Sequence, residues 1–449
     1  MNTNIKYYPS NYNFITTCDG MVILYNSKSG KLVNLGLGNY SDYACLIKNN
    51  SEIKINSEIK INSDILKNYL IKNKFIVQDP NEEFNDVISM YDEVVNSNEL
   101  FLEILPTEKC NFRCIYCYET YDREPMCEET LKGIVSFVKS RIKFSNSLKV
   151  AWFGGEPLLS MDILEKLSRQ FIEICNTEHI PYYSSITTNG YLLTPENWSK
   201  LKKSHVTDFQ ISIDGLENTH DRQRILANGR ETWNTIINNL RYFRDNIKTK
   251  TTNIILRTNI TKEIYLQRNE YIDFLKKEFS YDERFNFFFH LAQDWGNLKD
   301  EKIKEEFCGI NEFYEILELA ANKGLSLKVF RYFLSPAGRV CFAGKNNSFV
   351  ISPDGNIRKC SFRLNDNNNL LANVENYNTN LFHEWEYFYC SKKIKDDCLC
   401  CKKLPLCYGL VCPSYPGNVK ETCGYDISDI ERLIKILSIS DKKFVDKIM

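Results

Sequence analysis

Between residues 101 and 291 the chain alternates two apolar rhythms. Short runs rich in β-branched and aromatic residues (FLEIL, LKVAWF, SSITT, DFQISI, NIILRTNI and FNFFFHL) read as strands. The longer segments between them, such as ETLKGIVSFVKSRI, ILEKLSRQFIEIC and WNTIINNLRYFRD, are apolar at i, i+3 and i+4 and read as amphipathic helices. Strand followed by helix, six times over, predicts an α/β fold of parallel strands with helical crossovers. Six repeats are too few for a closed eight-fold barrel, so a partial barrel or an open sheet is expected. Ligands in such folds bind at the carboxyl ends of the strands.

The flanks have different patterns. Residues 1–98 read as a separate small module: ITTCDGMVILYNSKSGKLVNLG breaks into short strands at Asp19-Gly20 and Ser29-Gly30, followed by a helix over Asp64–Asn73 and the short strand FIVQD. SEIKIN occurs at 51–56 and again at 57–62, two copies too few and too short for a repeat architecture, and reads as a loop or strand expansion. The acidic PNEEFND at 80–86 is taken as the start of a linker. After the barrel region, 99–330, the alternation stops. Residues 331–449 are turn-rich, with Pro336, Gly338, Pro353-Asp354-Gly355, Pro413 and Pro416, and such a segment is expected to rely on metal for its fold.

Composition narrows the class. Of the 449 residues, 43% are hydrophobic and 26% charged, as in an ordinary globular protein, and the net charge of −1 gives no field that would draw nucleic acid or an anionic membrane. MNTNIKYYPS has no apolar signal-like core and no run of about 18 apolar residues occurs, so no membrane segment and a cytoplasmic location are expected. The 17 cysteines are unevenly spread, with three within 110–117 and nine within 341–423. In a reducing compartment such clusters point to metal ligands or catalytic groups rather than disulfides. Cys18, Cys45, Cys127, Cys175 and Cys308 stand apart and read as small buried apolar residues, and His290 on its apolar strand as a core histidine.

In CNFRCIYCYE, Cys110, Cys114 and Cys117 are spaced Cys-x3-Cys-x2-Cys directly after the first barrel strand. Zinc sites usually use four ligands in two separated pairs. Three thiolates on one loop suit an iron–sulfur cluster with one iron left open, and an open metal position is a mark of catalysis. Zinc binding remains the alternative. The motif, with Tyr116 before its last cysteine, resembles the signature of the radical S-adenosylmethionine (SAM) superfamily. Three further segments fall in the family's order on successive strands: GGEP at Gly154, Gly155, Glu156 and Pro157; TTNG with Asn189; and SIDG with Ser212 and Asp214. The resemblance implies that GGEP meets the SAM amino group, its glycines letting backbone approach and Glu156 accepting from the ammonium, that Asn189, Ser212 and Asp214 serve ribose or carboxylate, and that Arg224 pairs with the SAM carboxylate. Standing alone, GGEP would be a turn and Arg224 a surface arginine. The implied reaction chelates SAM on the open iron and cleaves it, after one-electron reduction, to methionine and a 5′-deoxyadenosyl radical that abstracts hydrogen. The cofactor carries that chemistry while the protein binds and orients it.

Cys341, Cys360, Cys398, Cys401, Cys407, Cys412 and Cys423 resemble the ligand pattern of a SPASM domain, with four residues instead of three between Cys407 and Cys412. That resemblance implies two auxiliary four-iron clusters beside the SAM-binding one. Cys398, Cys401, Cys407 and Cys423 would hold one of them, and Cys341, Cys360 and Cys412 the other. The odd count leaves a corner for a substrate thiolate, unless Cys400 or Cys390 is an eighth ligand. A zinc ribbon of Cys398, Cys401, Cys407 and Cys412 is a further alternative. The module at 1–98 resembles the winged-helix-like leader-recognition domains of enzymes that modify ribosomally made peptides, although it could equally cap the barrel. The expected whole is a partial (β/α)6 TIM-like barrel with an N-terminal winged-helix-like α+β module and a C-terminal irregular iron–sulfur domain ending in a helix. It would act on a precursor peptide bearing a leader, with flavodoxin or ferredoxin as electron donor, to form a cysteine thioether. Formylglycine formation, as in anaerobic sulfatase maturases, and carbon–carbon crosslinking are alternatives, and a metal-stapled, non-catalytic peptide-binding module is a third.

Overall fold

The computed structural model describes residues 7–18, 20–35, 64–294, 300–377, 394, 396–409, 427–441 and 444–447. They divide into two compact units: one of residues 97–329 with 345–388, the other of 1–96 with 330–344 and 389–449. This differs from the division 1–98, 99–330 and 331–449 expected above, because the segment after residue 330 is shared between both units. The SEIKIN duplication lies outside the described residues.

The larger unit is built on one nine-stranded sheet. All six expected strands are present, Glu99–Ile104, Ser147–Trp152, Tyr182–Thr188, Val206–Ser212, Asn253–Ile260 and Phe285–Leu291, and each pairs in parallel with the next. The helices between them bury the stripe that their periodicity predicts. In Met161–Thr177, for example, Leu164, Leu167, Phe171 and Ile174 all face inward, each apolar side chain contributing about 1.5–3 kcal/mol relative to exposure. A seventh parallel strand, Ser348–Ile351, flanks the first barrel strand in the register Ser348↔Phe101 to Ile351↔Ile104, and a hairpin through Asn356–Arg358 and Leu370–Asn373 continues the sheet. The alternation therefore does not end at residue 330: SFVI is wholly buried and completes the barrel edge.

The strands alternate in a telling way. On the first strand Leu100, Leu102 and Ile104 are 0% exposed on one face, whereas Phe101 and Glu103 on the other are only half-buried. The same alternation leaves Thr187, Gln210, Ser212, Arg257, Phe288 and His290 half-buried, and Gln210 reaches Thr187 at 3.5 Å. The barrel interior is thus polar rather than packed with branched apolar side chains, as a site for a polar ligand requires.

In the smaller unit Asn13–Cys18, Met21–Asn26 and Lys31–Asn34 form an antiparallel meander, and Val445–Lys447 pairs in parallel with the third strand. Val22, Leu24, Val33 and Leu35 pack with Leu66 and Leu70 of the helix Asp64–Lys72 and with Phe75 and Ile76. PNEEFND, expected to begin a linker, instead opens the helix Pro80–Val95: Asp79 caps it by accepting from the Asn81 N–H at 2.8 Å, Pro80 occupies the first turn, and Glu82 and Glu83 sit where the helix dipole favours acids. Among the described residues no helix is long and apolar enough to cross a membrane.

Candidate active site

The cysteine loop leaves the carboxyl end of the first barrel strand and is fixed at both ends. Phe112–Cys114 pairs antiparallel with Arg224–Leu226, setting Cys114 opposite Arg224, and the Cys117 N–H bonds the Cys114 carbonyl at 3.1 Å. The Phe112 N–H points at the Cys110 sulfur, 3.3 Å away. All three thiols are half-buried. Burial pushes Cys114 up to about 12, with Arg224 opposing and Cys117 adding to the rise, while Cys110 and Cys117 are raised mainly by burial as well. Thiols held protonated side by side bind soft metal by releasing their protons, which couples binding to pH. Among the described residues no three His, Cys, Asp or Glu side chains converge closely enough for a single metal ion. A four-iron cluster binds each thiolate at a different iron, so this loop suits a cluster better than zinc.

The GGEP segment packs against the cysteine loop. A Cβ on Gly154 would lie 2.4 Å from the Thr107 carbonyl oxygen, and one on Gly155 would lie 2.2 Å from that of Glu108. The Gly155 and Glu156 N–H groups bond the carbonyls of Thr107 (3.2 Å) and Lys109 (3.0 Å). The glycines therefore let this turn press against the root of the cysteine loop, and Gly154, with φ of 109°, adopts a backbone that favours glycine. Glu156 is 0% exposed and accepts from Leu158 N–H (3.0 Å), Thr188 Oγ1 (2.7 Å) and Asn189 N–H (2.8 Å). With three internal donors on it, Glu156 braces GGEP to TTNG and is not an open acceptor for an ammonium. Pro157 begins the short 3-10 turn Pro157–Ser160 that follows. Asn189 donates in turn to Asn111 of the cysteine loop at 2.8 Å.

Asp214 is likewise consumed internally. Wholly buried, it accepts from the Asn259 N–H (2.7 Å) and the Tyr116 hydroxyl and lies 3.6 Å from Arg224. Its own N–H donates to His220 Nδ1 at 3.2 Å. Burial holds His220 well below its ordinary value, so its ring is neutral with the proton on Nε2. Arg224 is no surface residue: 6% exposed, it donates to the Tyr116 hydroxyl at 2.7 Å, and its guanidinium lies over the Phe112 ring, 5.6 Å from the centroid. Tyr116, inside the cysteine motif, also accepts from Asn259 Nδ2 at 3.0 Å. Of the expected cofactor contacts, Ser212 alone presents a half-buried side chain at the rim with no internal hydrogen bond.

Residue types alone did not single out Tyr116, Thr188, His220 and Asn259 as the braces that join the strand ends. They also passed over two interior carboxylates, Glu103 and Glu119, which burial raises to about 7 and about 8. Alternation marks Glu103 as inward-facing, and this was the available signal. His290 faces the interior beside Arg257, which with burial lowers it to about 4, and its Nδ1 lies 2.6 Å from the Leu291 carbonyl.

Of the later cysteines, Cys398 and Cys407 are buried and Cys401 and Cys341 half-buried in the smaller unit, and Cys360 is half-buried in the larger. The Lys403 N–H bonds the Cys401 sulfur at 3.4 Å, and the Gly409 backbone passes so close to Cys398 that a Cβ would lie 3.2 Å from its sulfur. Cys400 is exposed. Cys390, Cys412 and Cys423 lie outside the described residues, as does Cys45. Cys18 and Cys175 are buried, Cys308 is half-buried, and Cys127 is exposed at the start of the helix Glu128–Ile142.

Residues 104–267 match the family described as the Radical SAM superfamily. The barrel is a radical SAM domain, a class that uses SAM together with a four-iron–four-sulfur cluster. The chain is similar to the cysteine-type anaerobic sulfatase-maturating enzyme of Clostridium perfringens, with 24% identity over 67% of this chain and 85% of that one. A GTP 3′,8-cyclase of Campylobacter jejuni is 32% identical over 31% of this chain and 41% of its own. In fold it resembles the solved structure described as native anSMEcpe with bound AdoMet and Cp18Cys peptide, with a TM-score of 0.59 and 20% identity, covering 76% of this chain and 97% of that one.

Proposed function

We propose that the chain is a radical SAM peptide maturase that joins a carbon of a precursor peptide to a cysteine sulfur as a thioether. The observation that carries this reading is the three-thiol loop at the mouth of a barrel with a polar interior, in a chain with seven further cysteines in SPASM-like spacing. When bound, the cluster and SAM supply a 5′-deoxyadenosyl radical able to take hydrogen from carbon. The chain's part is placement. Glu156, Asn189, Asp214 and Asn259 lock the ends of four successive strands to the cysteine loop through Asn111, Tyr116 and Arg224, leaving the Ser212 hydroxyl and the GGEP backbone to contact the cofactor. Rigid placement of this kind is worth orders of magnitude in rate. Cys341, Cys360, Cys398, Cys401, Cys407, Cys412 and Cys423 would hold two auxiliary clusters as four plus three ligands. One corner would then stay open for a substrate thiolate, the second electron would leave through the auxiliary clusters, and flavodoxin or ferredoxin would be the electron donor. The small meander with its helix Asp64–Lys72 would receive the leader by strand addition.

The sulfatase-maturating relative and the cysteine peptide in the solved neighbour favour a second reading, oxidation of a cysteine to formylglycine. Mass spectrometry of a co-expressed cysteine-containing precursor separates the two. Thioether formation removes two hydrogens per crosslink and keeps sulfur, whereas formylglycine formation removes sulfur. An unchanged precursor mass with SAM cleavage intact contradicts both.

A further inference from the structure

The barrel interior holds two carboxylates that the braces leave unused. Glu119, two residues past Cys117, is 7% exposed, and its Oε1 has no hydrogen-bond partner. Glu103, on the inward face of the first strand, also has a buried and unpartnered Oε1. Glu119 lies in the field of Glu103, with Glu108 and Arg123 beside it and Tyr118 as a side-chain hydrogen-bond partner, and Glu103 has Ser361 as its own side-chain partner. Tyr118 stands between them and feels Arg257 of the fifth strand as well. Strands one and five are not neighbours, so a side chain near both lies across the barrel interior.

The two arginines of this region have other partners. Arg123 donates to Glu108 (2.6 Å), Asp354 (3.0 Å) and Asn365 (2.8 Å), and Arg358 bonds Ser352 at 3.4 Å while facing Asp354 and Glu108. Neither arginine hydrogen-bonds Glu103 or Glu119. Glu103 and Glu119 each keep one buried oxygen, Oε1, with no hydrogen-bond partner among the described residues. A buried carboxylate oxygen left without a donor is costly, and such an atom normally marks a missing partner. Among the described residues no three His, Cys, Asp or Glu side chains converge on one point. A group bearing several N–H donors can span oxygens spaced more widely.

Position separates this pair from the cofactor contacts. Glu156, Asn189 and Asp214 lie at the ends of strands two to four, and Arg224 lies on the short strand paired with the cysteine loop. Glu103 and Glu119 lie toward Asp354, Ser361 and Phe362, on the edge that Ser348–Ile351 completes, where the Phe362 ring packs 4.8 Å from that of Tyr118. We propose that Glu103 and Glu119 form a subsite for a cationic side chain, a lysine ammonium or an arginine guanidinium, carried by the peptide substrate close to the residue that reacts. This assignment rests on the peptide-maturase reading.

The test is equilibrium binding, without turnover, to the anaerobically reconstituted full chain. The probes are two fluorescent pentapeptides, identical except that lysine or norleucine follows the single cysteine. The wild-type protein should prefer the lysine peptide by about tenfold, as expected of a charge-assisted hydrogen bond in a dry site. The Glu103→Gln/Glu119→Gln variant should bind both alike. Equal affinity of the two peptides for the wild-type protein overturns the proposal without recourse to any variant, and so does a preference that survives the double substitution. If the variant instead loses affinity for SAM alone, the cation is the cofactor's own ammonium and the peptide subsite is overturned. Since nothing is turned over, absence of the preference in the wild-type protein counts against the subsite whether or not the chain cleaves SAM.

Discussion

Replacing Cys110, Cys114 and Cys117 together by alanine is expected to lower the iron content of anaerobically reconstituted protein by about four atoms per chain, one cubic cluster's worth. The rest of the iron should stay. The argument is local: one loop supplies all three sulfurs, and the later cysteines lie on other segments with their own turns. The barrel should survive the change. Its outward faces are closed by residues such as Leu100, Leu102 and Ile104, and the pairing of Phe112–Cys114 with Arg224–Leu226 uses backbone groups rather than sulfur. Metal analysis beside far-ultraviolet circular dichroism checks both halves. Unchanged iron in the triple variant would show that the loop holds none, and full loss of iron would show that the clusters do not form independently.

The second large effect is on stability. Arg224→Met should destabilise the barrel by about 3–5 kcal/mol, the usual result of removing one partner from a buried ion pair. Asp214 is 0% exposed at its side chain and Arg224 7%, with 3.6 Å between them. Without the guanidinium, the Asp214 carboxylate would keep the Asn259 N–H and the Tyr116 hydroxyl but lose the cation that lies 3.6 Å from it. The Tyr116 hydroxyl would lose the donor that faces it at 2.7 Å. Adding Asp214→Asn should recover part of the loss, because it removes the stranded charge. Urea denaturation of the single and double variants reads both changes. A loss below about 1 kcal/mol for Arg224→Met would place the pair with exposed ion pairs and contradict its role as a brace.

The barrel was readable from sequence because its strands bury one face against helices whose own period is unambiguous. FNFFFHL and NIILRTNI carry that signal in nearly every residue. SFVI did not stand out, since three apolar residues among turn formers have no period, and only pairing with the first strand makes them part of the barrel. The Asp79-Pro80 start of a helix was hidden by acids that suit a first turn as well as a linker. At the site, the cysteines were legible because their spacing itself carries the chemistry. The tasks of Glu156 and Asp214 were not, since their partners Thr188 and Asn259 lie 32 and 45 residues away. A short polar residue at a strand end looks the same in sequence whether it awaits a ligand or clasps a neighbouring loop.

The measurement that bears most directly on all of this is formation of 5′-deoxyadenosine from SAM by the reconstituted chain under strong reductant and without oxygen. The arrangement of Cys110, Cys114 and Cys117 predicts that the nucleoside accumulates with wild-type protein and not with the triple alanine variant. Its absence from iron-replete wild-type protein, or equal yield from the variant, would contradict the account.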